Sequence, residues 1–153
     1  MTEIVIAAER PDTRDAMALI AELEVALSRG YTPEQRFGFS VEKLIAQGVA
    51  FFVLRADDAA AACGGVLLEA DNTAEVKRMF VRDAYRGRGY AKAILDHLVT
   101  YARQHGTRLL RLETGIYQPE AIGLYERYGF TRIPPFGTYV GSETSVCYEL
   151  VIG

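Results

Sequence analysis

The chain has 153 residues, half of them hydrophobic and 24% charged, which suits one globular domain with a real core. Seventeen Lys and Arg against twenty Asp and Glu leave a net charge of −3, which argues against an extended nucleic-acid surface; any basic site must be local. No apolar run approaches the roughly 20 residues that span a bilayer, and the start lacks the basic-then-apolar order of a signal peptide, so a cytoplasmic protein is expected.

Ile4 to Ala8 reads as a first strand. Asp12 or Thr13 can cap a helix whose apolar stripe is Ala16, Leu19, Ile20, Leu23 and Leu27, ended by Gly30-Tyr31-Thr32-Pro33. Ser40 caps a short helix with Val41, Leu44 and Ile45 inward, closed by Gly48. Tyr31, Phe37 and Phe39 put three aromatics into the polar connection between these helices, as a small satellite core or as lining for a substrate. Val49 to Arg55 and Ala60 to Glu69 read as a hairpin turning at Asp57-Asp58, and a turn at Asp71-Asn72 delivers the strand that ends VKRMFV at Val81. Cys63 and Cys147 lie in apolar segments without metal-ligand spacing and read as small buried hydrophobes. His97 and His105 read as surface residues of the next helix, so no metal site is expected.

The turn Arg86-Gly87-Arg88-Gly89-Tyr90-Ala91, followed by Lys92, carries the most information. It joins the strand ending at Val81 to a helix in which Ala91, Ile94, Leu95, Leu98 and Ala102 recur at helical spacing. A glycine-rich turn feeding a helix start gathers backbone N–H groups where the helix dipole also favours negative charge, and two arginines add to it. That combination is a phosphate cradle. A nucleoside-triphosphatase loop would need Lys and Ser or Thr after its last glycine, and a dinucleotide fold would need a third glycine; neither is present. Without those features a basic surface loop remains the plain alternative. The helix stops at Gly106, Arg108 to Thr114 forms a strand, Pro119 opens a helix ended by Gly129, and Phe130 to Ile133 and Ser145 to Val151 complete a mixed α+β domain over residues 1–153.

These residues resemble the Gcn5-related N-acetyltransferases. Arg86, Gly89 and Ala91 fit the family's phosphate-binding signature, and Ala121, Leu124, Tyr125, Gly129 and Phe130 fit its second, A-x-x-L-Y-x-x-x-G-F. EVKRMFV, LETG-x-x-QPEAI, IPPFG-x-Y and SVC are similar to a bacterial branch of uncharacterised acetyltransferases, some with a suggested link to indole-acetic-acid metabolism that identifies no substrate. The resemblance implies a twisted, mostly antiparallel sheet of six or seven strands, a splayed parallel pair at its fourth and fifth strands, and about four flanking helices. It implies acetyl-CoA as co-substrate and transfer of its acetyl group to a primary amine, on a small molecule or on a peptide.

The same resemblance distributes roles. Amides of Arg86, Gly87, Arg88, Gly89, Tyr90 and Ala91, with Lys92 beside them, would hold the CoA pyrophosphate. The pantetheine arm would lie along Met79, Phe80 and Val81 like an added strand, and an N–H near Phe80 or Val81 would face the thioester oxygen. Tyr125 corresponds to the family's general acid, a phenol of pKa about 10 able to protonate a thiolate. Glu75 and Glu113 are both candidate bases; strand alternation pairs Glu75 with Lys77 and Glu113 with Arg111 on polar faces, which leaves a purely structural role open for each. Gln118, seven residues before Tyr125, stands where the family usually has Asn contacting the cofactor arm.

Tyr31, Phe37, Phe39, Phe136 and Tyr139 could form an aromatic acceptor pocket, which suits a small-molecule amine. A homodimer is left open. The competing readings are a non-catalytic acyl-CoA sensor or scaffold and RNA binding through the RGRG turn, the latter disfavoured by the acidic balance.

Overall fold

A computed structural model describes residues Met1–Gly153. Strand β1 (Ile4–Ala8) leads into helix α1 (Arg14–Ser28), where Thr13 is the N-cap and its hydroxyl accepts from the Ala16 amide. A single 3₁₀ turn (Pro33–Gln35) precedes α2 (Val41–Ala46), which Ser40 caps at the Lys43 amide. Strands β2 (Ala50–Ala56), β3 (Ala59–Leu68) and β4 (Thr73–Val81) follow as a meander. The second half of the chain is α3 (Tyr90–Gln104), β5 (Leu109–Gly115), α4 (Pro119–Tyr128), β6 (Thr131–Ile133) and β7 (Ser145–Val151).

The seven strands form one sheet in the order β1-β2-β3-β4-β5-β7-β6, antiparallel except for β4 and β5. The parallel pair is brief. Thr73, Ala74 and Glu75 pair with Leu109, Leu110 and Arg111, and beyond Glu75 the two strands part. β5 stays paired on its other side, from Leu109–Val151 to Gly115–Ser145. The sheet therefore opens in its middle, as the family resemblance implies.

Helices α3 and α4 cover one face. Leu54, Val66, Leu110 and Leu112 meet Ile94, Leu95 and Leu98 there, all almost wholly buried, with Tyr125 and Tyr148 in the same cluster. Helices α1 and α2 cover the other, where Leu19, Ile20 and Leu44 pack on Phe51, Val53 and Cys63. Both cysteines are free and buried. His97 is not simply a surface residue, since its ring meets Phe52 edge-on at 4.6 Å; His105 stacks on Tyr101 at 4.1 Å. No helix is long and apolar enough to cross a membrane.

One irregularity in β4 was not legible in the run VKRMFV. The β3–β4 register slips between Cys63–Phe80 and Gly65–Lys77, so that one extra residue sits in β4. Arg78 absorbs it with φ of 56°. Such a bulge reverses side-chain alternation. Ala74 and Val76 face the α3 layer, and so do Met79 and Val81, while Phe80 joins the α1 layer. Gly64 lies opposite the bulge. A methyl group there would lie 2.6 Å from Ile94 Cγ2 and 2.8 Å from Met79 Sδ. Gly64→Ala is therefore expected to cost about 1–3 kcal/mol, measured as a lower midpoint in urea unfolding with an unchanged slope.

Candidate active site

The glycine turn has the geometry that its sequence promises. Gly87 and Gly89 both take left-handed backbone angles (φ 77° and 80°), and Gly89 is the N-cap of α3. None of the amides from Gly87 through Lys92 finds an acceptor in the protein; Ala93, bonded to the Gly89 carbonyl at 3.1 Å, is the first that does. An uninterrupted run of free N–H groups at a helix N-terminus is an anion site. Arg86 departs from its expected part, because its amide already bonds to the Asp83 carbonyl at 3.3 Å. Its guanidinium braces the turn, with Nε on the Val81 carbonyl at 3.2 Å and Nη2 3.2 Å from Asp83. Arg88 lies over the Tyr85 ring, and Lys92 pairs with Asp96 at 3.0 Å; both remain exposed. Tyr90 sends its ring into the core, so only its backbone faces the turn.

The open edge of β4 begins close by. Arg82 donates its amide to Ala61 on β3 at 2.9 Å. Successive amides on a strand point to opposite edges, so the Val81 N–H faces the side that β5 has left. Of the two positions considered for an oxyanion donor, the ladder thus favours Val81 over Phe80.

From this gap a cleft passes through the sheet. Val76, Met79, Leu112, Ala121, Gln118 and Tyr125 line its α3–α4 end, and Tyr31, Phe37, Phe39, Lys77, Glu113 and Tyr139 line the other. Tyr125 projects from α4 between Phe130 and Tyr148, and its hydroxyl has no protein partner. Burial, then the nearby charge of Glu113, raises its pKa well above the ordinary phenol value. The Gln118 side chain caps no helix amide; the residue is the N-cap of α4 and lines the cleft.

The two candidate carboxylates stand in different surroundings. Glu75 is buried beside Lys77, whose Nζ donates to it at 2.8 Å, and the Tyr139 hydroxyl donates to the same oxygen. Lys77 also sits over the Phe39 ring, 4.2 Å from its centre. Glu75 does not line the cleft. Glu113 does, and its one protein partner is the Ser145 hydroxyl, donating at 2.7 Å. Burial pushes the Glu113 carboxyl up to about 7; the Ser145 hydrogen bond opposes the shift and the charge of Glu75 adds to it. The expected pairing of Glu113 with Arg111 is absent, because Arg111 lies against the Phe136 ring at 5.4 Å.

The early loop is fastened to this floor by contacts that the sequence did not disclose. Arg78 turns at the bulge toward α1, where its Nε donates to the Phe39 carbonyl at 2.9 Å and its Nη2 pairs with Glu24. A side chain at Gly38 would strike that guanidinium, and one at Gly115 would strike the Tyr31 hydroxyl, which accepts the Tyr117 amide at 2.8 Å. Tyr31, Phe37 and Phe39 are therefore both packing and lining. Phe37 and Phe136 each meet Tyr139 edge-on at 5.2 Å.

Comparison with known proteins agrees with this geometry. Residues 17–130 match the acetyltransferase (GNAT) family. The chain is 34% identical to a protein of Azospirillum brasilense named IAA acetyltransferase, over 97% of this chain and 98% of that one. It is 29% identical to the uncharacterized N-acetyltransferase YsnE of Bacillus subtilis, over 87% and 89% respectively. Among solved structures, a Klebsiella pneumoniae protein assigned as an acyl-CoA N-acyltransferase superposes with a TM-score of 0.83 at 28% identity, covering 98% of each chain. The fold is also that of yncA from Salmonella typhimurium, solved with its cofactor acetyl-CoA, at a TM-score of 0.71, 16% identity and coverage of 99% and 95%. A cradle of free amides, an opened β4–β5 pair and a family match across most of the chain lead to one assignment: this protein belongs to the GNAT acetyltransferase family.

Proposed function

We propose that the protein transfers an acetyl group from acetyl-CoA directly to a primary amine of a small molecule. The observation that carries this reading is the shared cleft. It brings a partnerless tyrosine hydroxyl and a carboxyl whose pKa burial raises to about 7 to the gap in the sheet, and the open edge of β4 runs on from there toward the free amides ahead of α3. Those residues suit the co-substrate: amides of Gly87 to Lys92 would take the pyrophosphate, and Met79 to Val81 would offer an unpaired strand edge to the pantetheine arm. Acetyl-CoA supplies the activated acyl group as a thioester.

The chain's own residues account for the proton movements. An amine arrives as an ammonium and must lose a proton before its nitrogen can attack. Glu113 suits that task, since a base is most effective when its pKa lies near the working pH. Glu75 is less suited, because Lys77 and Tyr139 already occupy its carboxylate. As the C–N bond forms and the C–S bond breaks, the thioester oxygen gains charge that the Val81 amide can meet. The departing sulfur needs a proton. Tyr125 can give it, and its raised pKa keeps the hydroxyl protonated throughout the neutral range. No covalent enzyme intermediate is invoked, and both cysteines are buried.

A direct test is release of free CoA thiol from acetyl-CoA with a panel of amines; a protein that binds acetyl-CoA but releases none with any amine would be a sensor or scaffold. Gly89→Asp puts a side chain at a left-handed position and a negative charge in the cradle. It is expected to weaken acetyl-CoA binding by about 100-fold or more, read by calorimetry. Tyr125→Phe is expected to lower kcat by about 10- to 100-fold with acetyl-CoA affinity unchanged.

Glu113→Gln is expected to lower kcat/KM by about 100-fold and to remove the limb of the pH profile near 7. The same group makes a prediction for stability. Its pKa is higher in the folded chain than the ordinary 4.5, so its favourable contribution is complete below about 4.5 and is lost as pH rises through about 7. Urea unfolding from pH 4.5 to 8 should show that decline in the wild type and a flatter curve in Glu113→Gln.

A further inference from the structure

The end of the cleft lined by the α1–α2 connection contains a cation that the transfer chemistry does not use. Lys77 is matched by Glu75, and Arg78 by Glu24. Arg36, on the connection between α1 and α2, has only a share of the carboxylate that Arg78 also uses. Its side chain makes no hydrogen bond, and its only carboxylate neighbour is Glu24, 3.6 Å from Nη1. The other oxygen of Glu24 is taken by Arg78, so one carboxylate serves two guanidinium groups. Arg36 Nε is shielded from solvent without an acceptor, yet the residue lines the cleft. Arg111 Nε is also unpartnered, but that residue lies against Phe136 and does not line the cleft.

A guanidinium presents its N–H groups as a planar fork that fits a carboxylate at two points. The cavity that Arg36 lines is walled also by Leu23, Leu27, Tyr31, Phe37 and Phe39, with Lys77, Arg78 and Gln118 among its polar groups. Glu113 lines the same cavity from β5. We infer that Arg36 is the anion-binding end of the acceptor site, and that the acceptor is an amine bearing a carboxylate on an apolar or aromatic frame, as in a hydrophobic amino acid. The inference rests on the reading that this cleft receives the amine. It adds the group that orients the acceptor, with the carboxylate at Arg36 and the nitrogen toward Glu113.

The decisive experiment separates binding from transfer. The CoA-saturated protein is titrated in a calorimeter with 3-phenylpropionate and with its neutral isostere 3-phenylpropanamide, neither of which has an amine to acetylate. The acid should bind at least about tenfold more tightly than the amide. Arg36→Gln should abolish the difference, and Arg36→Lys should keep part of it. Thermal unfolding and CoA affinity of both variants, expected to match the wild type, show that the fold is intact. Equal affinities in the wild type, no binding of the acid, or a preference that survives Arg36→Gln would overturn the inference.

Thiol release with phenylalanine and with phenethylamine completes the test. The wild type should prefer phenylalanine by about tenfold in kcat/KM, and Arg36→Gln should raise KM for phenylalanine alone. Equal rates for the two amines would remove the anion site and leave acetyl transfer standing. Arg36-dependent binding of the acid without thiol release from any amine would do the reverse.

Discussion

The structure depends on the early end of pairing between β4 and β5. Three residue pairs hold these strands together, and then β5 follows β7 while β4 follows β3. An open stretch of strand edge is ordinarily a liability, because unpaired amides and carbonyls invite another chain. Here the edge lies inside the domain, flanked by α3 and α4 on one face and by the early loop on the other. Only something slender and extended can reach it. The same separation makes the cleft through the sheet, so the cavity is lined by residues from both of its faces.

Much of this was legible in the sequence because the signals are local. Ser40 and Gly129 mark helix ends through the capping chemistry of single residues at the positions where they were read, and of the two candidates Asp12 and Thr13 the structure uses Thr13. Strand limits moved by a residue, as at Leu109–Gly115 in place of Arg108 to Thr114. What stayed hidden depends on partners remote in the chain. Glu75 and Glu113 look alike on their strands. They differ because Tyr139 reaches Glu75 from beyond β6, whereas Glu113 meets only Ser145 and a desolvating cavity. Arg36 belongs to no sequence motif, and its setting depends on Glu24 and Arg78.

Arg78 shows how one residue can serve several levels at once. Its left-handed backbone accommodates the bulge, its side chain pairs with Glu24 of α1, and its Nε holds the Phe39 carbonyl. The early loop is thus tied to the strand that borders the cleft.

The bulge also fixes a phase relation along β4. Before it, Glu75 and Lys77 point toward the early loop; after it, Met79 and Val81 point toward α3, and the Val81 amide looks into the gap. The polar half of the strand and the half that faces α3 and the gap are in step only because one residue goes unmatched. A single deletion there would preserve length, composition and hydrophobicity almost unchanged, yet turn over every side chain and amide between the bulge and the glycine turn. In β4, then, the count of residues is as much a part of the site as their identity, and homologous strands are comparable only when aligned with that extra residue in place.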